Sequence, residues 1–245
     1  MSLAKPAAPL APTSQHTIGP FFPRTFFQPG DNDLTIVAHG AQPTRRGEAI
    51  LLRGRVTRAE GLPCLNQILE AWQADAGGRF DHPLDPERHL ADRDFLGWGR
   101  AWTDEHGQYL FRTVMPGGYA EAGHRRAPHV NLTVMGAGLM RRVQTTMFFS
   151  DFAAENAADP VLALVPAERR LMLVAMPDGR ADGLRVFRFD IRLHGSSDEE
   201  TPFFEEGGAA ESWGARDAAQ VPPSGPTAPA DQCTAEHQPE RVLIA

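Results

Sequence analysis

Residues 109–149 read YLFRTVMPGGYAEAGHRRAPHVNLTVMGAGLMRRVQTTMFF. Tyr109–Phe111 closes a segment, 99–111, that reads as two strands about a turn, and Pro116-Gly117-Gly118-Tyr119 marks the next turn. His129–Met135 and Val143–Phe149 are two further runs rich in β-branched and apolar residues, parted by Gly136-Ala137-Gly138. Short runs closed off by glycine and proline fit antiparallel strands better than a helix, whose apolar stripe would recur every three to four residues.

The same rhythm continues outward. Val186–Leu193 alternates cleanly, with Phe187, Phe189, Ile191 and Leu193 on one face and Arg188, Asp190 and Arg192 on the other. Pro166–Leu171 predicts one short helix with proline at its start, and Leu171–Met176 a strand or that helix's end. Upstream, Thr103-Asp104-Glu105-His106-Gly107 predicts a hairpin turn between strands in 99–111. Ala49–Val56 is a strand. Gln67–Ala74 predicts a second, with Ile68, Glu70 and Trp72 on one face and Leu69, Ala71 and Gln73 on the other; helix is the competing reading. Arg79–Trp98, rich in Asp, Pro and His, predicts a long loop, a feature often tied to function. The expectation is a mostly β protein, an antiparallel sandwich with few short helices, over residues 47–204.

Both flanks differ. Residues 1–46 form an arm in which Pro6, Pro9 and Pro12 exclude helix. Phe21-Phe22 after Gly19-Pro20 must find cover, on the chain's own core or on a partner. Residues 205–245 are Ala, Gly, Pro, Ser and acid, too poor in apolar groups to offset ordering entropy, and predict a mobile tail.

Composition bounds the role. The 245 residues carry a formal charge of −7 with 42 % hydrophobic content, which argues against a nucleic-acid partner. No apolar run suits a membrane span or a secretory leader. Cys64 and Cys233 are too few for a disulfide framework and fit a reducing cytoplasm.

Chemistry concentrates in Tyr119, Arg126, His129 and Asn131, with Phe80 upstream. Residues two apart on a strand share a face, so His-x-His there could hold one metal from one side. Here the second position is Asn131, a weak ligand for a transition metal. Tyr119 and His129 are too few for a closed site, and a hydrogen-bonded structural role for His129 is the plainer reading. His82 and His89 lie in the long loop. Arg125-Arg126 and Arg141-Arg142 are either surface ion-pair partners or a carboxylate-binding patch. No phosphate loop, G-x-S-x-G or H-E-x-x-H occurs.

Six blocks in order, TSQHTIGPFFP (13–23), GEAILLRGRV (47–56), EAWQADAGGRFDHP (70–83), TDEHGQYLFRTVMPGGY (103–119), RRAPHVN (125–131) and FRFDIRLHG (187–195), resemble the intradiol ring-cleavage dioxygenases. The resemblance implies a β-sandwich and a non-haem ferric ion held by two tyrosines and two histidines. Those positions fall here on Phe80, Tyr119, His129 and Asn131, and the family's assisting arginine falls on Arg126. Two of the four donors are thus replaced. The resemblance therefore implies the α-type chain of a heteromeric enzyme, with no iron of its own and the Fe(III) held by a β-type partner. The implied reaction is O2-dependent cleavage of 3,4-dihydroxybenzoate to 3-carboxy-cis,cis-muconate. Thr17, Gly19, Pro20 and Phe21 of the arm would reach the partner's pocket. Ala137 falls where many such chains carry a carboxylate-binding arginine, and Arg141 or Arg142 is the alternative cation. Two rivals stand beside this: a self-sufficient enzyme using Tyr119, His129 and a histidine of the 82–89 loop, and a non-catalytic β-sandwich binding module.

Overall fold

A computed structural model describes residues 27–136, 139, 141–194, 199–206 and 241–244. In chain order the strands are β1 (Ala49–Thr57), β2 (Gln67–Trp72), β3 (Trp98–Trp102), β4 (Gln108–Val114), β5 (Tyr119–Glu121), β6 (His124–Arg126), β7 (His129–Gly136), β8 (Val143–Phe149), β9 (Val174–Ala181), β10 (Leu184–Arg188), β11 (Ile191–Arg192), β12 (Phe203–Glu206) and β13 (Arg241–Ile244). Two short helices, α1 (Ala153–Ala158) and α2 (Pro160–Ala163), follow β8. No helix among the described residues is long and apolar enough to cross a membrane.

The strands form two layers. In one, β4-β1-β10-β9 run side by side, with β11 extending the β10 side of β1. In the other, β3-β2-β7-β8 are antiparallel neighbours, and β12 pairs with β8 through Phe204 and Gln144. A short parallel pairing of Phe148-Phe149 with Val174-Ala175 joins the layers at one corner. Leu52, Phe111 and Phe187 from the first layer and Leu69, Leu132 and Phe148 from the second share one buried cluster. The predicted sandwich is present, with parallel pairs (β1–β10, β1–β11, β8–β9, β12–β13) among antiparallel ones.

Alternation decided β2 correctly. Leu69, Ala71 and Gln73 are buried while Glu70 and Trp72 turn outward; Ile68 is buried as well. The 103–107 turn forms, with Gly107 at φ +72° and its N–H donating to the Asp104 carbonyl. It is not a hairpin, however. β3 pairs with β2 and β4 with β1, so the turn carries the chain from one layer to the other. Turn chemistry is local, whereas each strand's partner was fixed by distant residues.

The predicted strand 186–193 keeps its face, with Phe187, Phe189 and Ile191 buried, but it breaks at Phe189-Asp190. There the Arg55 N–H donates to the Asp190 side chain at 2.9 Å instead of to a backbone carbonyl. The Phe189 carbonyl accepts from Tyr109 Oη at 2.5 Å. A Cβ on Gly54 would lie 1.7 Å from that carbonyl oxygen, so only glycine lets the break pack onto β1. The predicted short helix is a 3-10 segment, Ala167–Leu173, with Pro166 just before it.

Within the segment read as a tail, β13 pairs in parallel with β12. The remainder of 207–245, and arm residues 1–26 with Thr17, Gly19, Pro20 and Phe21, lie outside the described residues, as does Ala137.

Candidate functional site

The long loop was expected, and it spans 73–97 without a strand. Asp75 pins it at both ends: Oδ1 accepts from Gly77 N and Arg79 N, and Oδ2 from Asp92 N. The Asp75 carbonyl also accepts from Gly117 N. Gly78 lies so close to the 116–118 turn that a Cβ would come 2.4 Å from the Gly118 carbonyl oxygen. These contacts bring Phe80 of the loop against Tyr119 at the start of β5. Their rings meet edge to face with centroids 5.1 Å apart.

β5 and β6 form a two-stranded ribbon turning at Ala122 (φ +47°) and Gly123 (φ +81°), the positive-φ pair a tight hairpin requires. Tyr119 therefore faces Arg126, and β7 opens with His129 directly after Pro128.

His129 Nδ1 lies 2.6 Å from the Ala127 carbonyl oxygen, which can only accept, so Nδ1 carries the proton. Nε2 is then free to accept from Tyr119 Oη, 3.3 Å away. Burial, with the nearby Arg126 charge, pushes the His129 pKa down to about 4. Burial pushes the Tyr119 phenol up to about 12 against the opposing pull of Arg126. A neutral imidazole and a protonated phenol satisfy one another here.

Asn131 lies two residues on along β7, but its Oδ1 accepts from Thr146 Oγ1 at 2.8 Å. Arg126 is buried and doubly paired, through Nε to Asp159 at 3.0 Å and through Nη1 to Glu121 at 2.7 Å. Burial opposes its charge, yet Asp159 and Glu121 together raise its pKa.

Phe80, Tyr119 and Asn131 line a cleft of about 440 Å³ with Trp72, Arg79 and His82. Trp72 stacks on Phe80, ring planes 7° apart. The structure thus assembles Phe80, Tyr119, Arg126, His129 and Asn131. It brings His82 to the cleft but places His89 on another, beside Arg45, Arg46 and Asp92. Arg141 and Arg142 are exposed, just before β8, at the end of the β7–β8 hairpin remote from His129.

Asp159 was missed. It is fully buried; Oδ2 accepts from Arg126 Nε and Ala127 N, and Oδ1 caps α2 through Val161 N and Leu162 N. Its signal was the Asp-Pro pair at 159–160, an N-cap followed by proline at the first helical position.

Comparison with known proteins bears on this arrangement. The dioxygenase family model matches residues 18–195. The chain is 38 % identical to the protocatechuate 3,4-dioxygenase alpha chain of Burkholderia cepacia, over 80 % of this chain and 98 % of that one. It is 35 % identical to the alpha chain from Pseudomonas putida, over 67 % and 80 %. It is also 33 % identical to the Burkholderia cepacia beta chain, over 78 % and 83 %.

The family implies non-haem iron. The four-donor set does not fit here: Phe80 offers no oxygen, the Asn131 amide oxygen serves Thr146, and Tyr119 and His129 serve each other. Among the described residues, no three His, Cys, Asp or Glu side chains gather to hold a metal ion. With the family match running over residues 18–195 and the alpha-chain similarity spanning four fifths of the chain, this chain belongs to the intradiol ring-cleavage dioxygenases.

Proposed function

We propose that this chain is the non-iron α-type subunit of a protocatechuate 3,4-dioxygenase, working in the cytoplasm with an iron-bearing β-type chain. One observation carries the reading: two of the four donor positions hold Phe80 and Asn131, and the Asn131 oxygen is already committed to Thr146. Phenolate and imidazole donors suit ferric iron, and an amide oxygen is a poor substitute. The complex incorporates both atoms of O2 into 3,4-dihydroxybenzoate and breaks the carbon–carbon bond between the two hydroxylated carbons, giving 3-carboxy-cis,cis-muconate. The Fe(III) that activates this ring belongs to the partner.

This chain's contribution is pocket wall and interface. Thr17, Gly19, Pro20 and Phe21 of the arm and Ala137 are the residues offered to the partner's pocket. Arg141 or Arg142 is the cation for the substrate carboxylate, since guanidinium matches carboxylate geometry. Both arginines sit away from this chain's own cleft, as a role in another chain's site requires.

The test is expression of the chain alone and together with a β-type chain from the same source. Alone it should purify nearly free of iron and without activity. Together they should form an iron-containing complex that consumes O2 with 3,4-dihydroxybenzoate. Near-stoichiometric iron and a reddish tyrosinate band in the chain alone would overturn the reading.

A further inference from the structure

We infer that the groove between residues 41–46 and residues 89–94 is a binding site for a small anion carrying two or more carboxylate or phosphate groups. Arg45, Arg46 and Arg93 line this groove of about 600 Å³, a volume suited to a small molecule. His89 adds a ring nitrogen at the same rim.

The guanidiniums are available. Elsewhere Arg53, Arg79, Arg88, Arg126, Arg185 and Arg188 each pair with a carboxylate of this chain. Arg45 and Arg93 are exposed and meet no carboxylate or other hydrogen-bond partner among the described residues. Arg46 makes one side-chain bond, Nη1 to the Leu90 carbonyl at 3.4 Å, which leaves most of its five N–H donors open. The two acids of the lining do not balance them. Asp92 is buried, with Oδ1 accepting from Asp94 N and Oδ2 from Thr44 Oγ1. Only Asp94 is exposed. The groove thus sets three guanidiniums against two carboxylates in a chain of formal charge −7. The cleft at Phe80 has the opposite balance, with Asp85, Glu87 and Glu121 against Arg79.

The walls are held in place before any ligand arrives. On one side Thr44 N donates to the Thr35 carbonyl at 2.8 Å, the Thr44 hydroxyl donates to Asp92, and Arg46 N donates to Thr44 Oγ1 at 3.1 Å. On the other side Asp92 N donates to the buried Asp75 at 2.8 Å. Asp92 therefore ties together the backbone carrying Arg45 and Arg46 and the backbone carrying Arg93. Guanidinium matches carboxylate and phosphate oxygens in the same bidentate way. An anion with one such group engages one wall, whereas an anion with two or more can bridge both. Polycarboxylates and phosphate compounds share that chemistry. The site consists of this chain's residues alone and does not depend on the subunit role.

The test is calorimetric titration of the purified full-length chain in low-salt buffer, where charge attraction is least screened. The probes are citrate, pyrophosphate and, as a single-group anion, acetate. Citrate, pyrophosphate or both should bind saturably, and the tighter of the two names the source. Acetate should bind at least about tenfold more weakly, having lost one set of charge-assisted bonds. Arg45→Gln and Arg93→Gln should each weaken the bound probe about tenfold on the same ground. Asp94→Asn should tighten it. Arg58→Gln, at an exposed arginine beyond the far end of β1, should change nothing. Arg45 and Arg93 have no protein partner to lose, so the variants should keep the circular dichroism of the parent. Absence of saturable binding by both citrate and pyrophosphate overturns the inference. So does acetate binding as tightly as they do, or Arg58→Gln weakening them as much as Arg45→Gln, which would mark general charge attraction rather than a site.

Discussion

Asn131 is where a metal ligand would have to be rebuilt, and its surroundings show why one change is insufficient. Asn131→His would supply an imidazole but leave Thr146 Oγ1 without its acceptor. It would also leave Phe80, whose ring lies edge-on to Tyr119, without an oxygen. The single variant is expected to purify without stoichiometric iron or tyrosinate absorption, and the Phe80→Tyr, Asn131→His double variant to gain both; metal analysis and visible spectra check this. Iron uptake by the single variant would count against the proposed subunit role. His129 makes a second expectation at this scale. Its folded pKa of about 4 lies below the ordinary value near 6.5. Between those values the unfolded chain binds the proton and the folded chain does not. Stability from this group is therefore full above pH 6.5 and is lost as pH falls toward 4. Urea unfolding at pH 7 and pH 5 should differ by about 2 kcal/mol on this account. His129→Gln should flatten that part of the slope, and an unchanged slope would contradict the assigned protonation state.

At the scale of elements, Asp159 ties α2 to the β6–β7 junction. It holds the Arg126 guanidinium and the Ala127 amide with one oxygen and two α2 amides with the other. Asp159→Ala leaves the buried Arg126 with only its half-exposed partner Glu121, strips the Ala127 amide of its acceptor and uncaps α2, and should cost about 3–5 kcal/mol. Glu121, the other Arg126 partner, is half exposed; Glu121→Gln should cost less than about 1 kcal/mol. Chemical denaturation of both separates the buried pair from the surface one, and equal losses would refute the distinction. The same contrast shows what sequence could and could not reveal. Alternation placed Leu69 and Ala71 inward and Phe187, Phe189 and Ile191 on one face, because period two is a property of each strand alone. Pairing is a property of two strands. Gly107 announced a turn, but nothing between 103 and 107 states that β3 and β4 leave for different layers. The break at Asp190 depends on Gly54, far earlier in the chain, and has no local mark. Phe80, Tyr119, Arg126, His129 and Asn131 were legible as one site only because blocks of resemblance spanned them. Asp159, in an alanine-rich stretch between recognised blocks, was not.

At the scale of the molecule, the question is what residues 1–26 do for a sandwich that already closes on itself. The buried cluster among the described residues joins both layers and runs from Leu34 to Phe204. Phe27, where the described chain begins, already packs edge to face on Trp102 of β3 with centroids 4.5 Å apart. Arg100 lies over the Phe27 ring at 6.0 Å and pairs with Glu70. That aromatic and cationic anchor fixes the arm's exit point on β3. Cutting the chain before Phe27 retains the anchor and removes Phe21 and Phe22, two large apolar side chains that need cover. If the arm's cover is the partner, the truncated chain keeps a β-rich circular dichroism spectrum and cooperative urea unfolding. Its complex with the β-type chain should then weaken, because aromatic anchors carry a disproportionate share of interface energy; loss of one such residue costs about 2 kcal/mol or more. Sedimentation of the mixed chains and O2 uptake with 3,4-dihydroxybenzoate both read this loss. If the arm instead covers this chain's own core, truncation lowers the unfolding midpoint and leaves assembly intact once folded. The two measurements move in opposite directions, so comparing the full-length and truncated chains separates an arm made for the partner from one made for the chain itself.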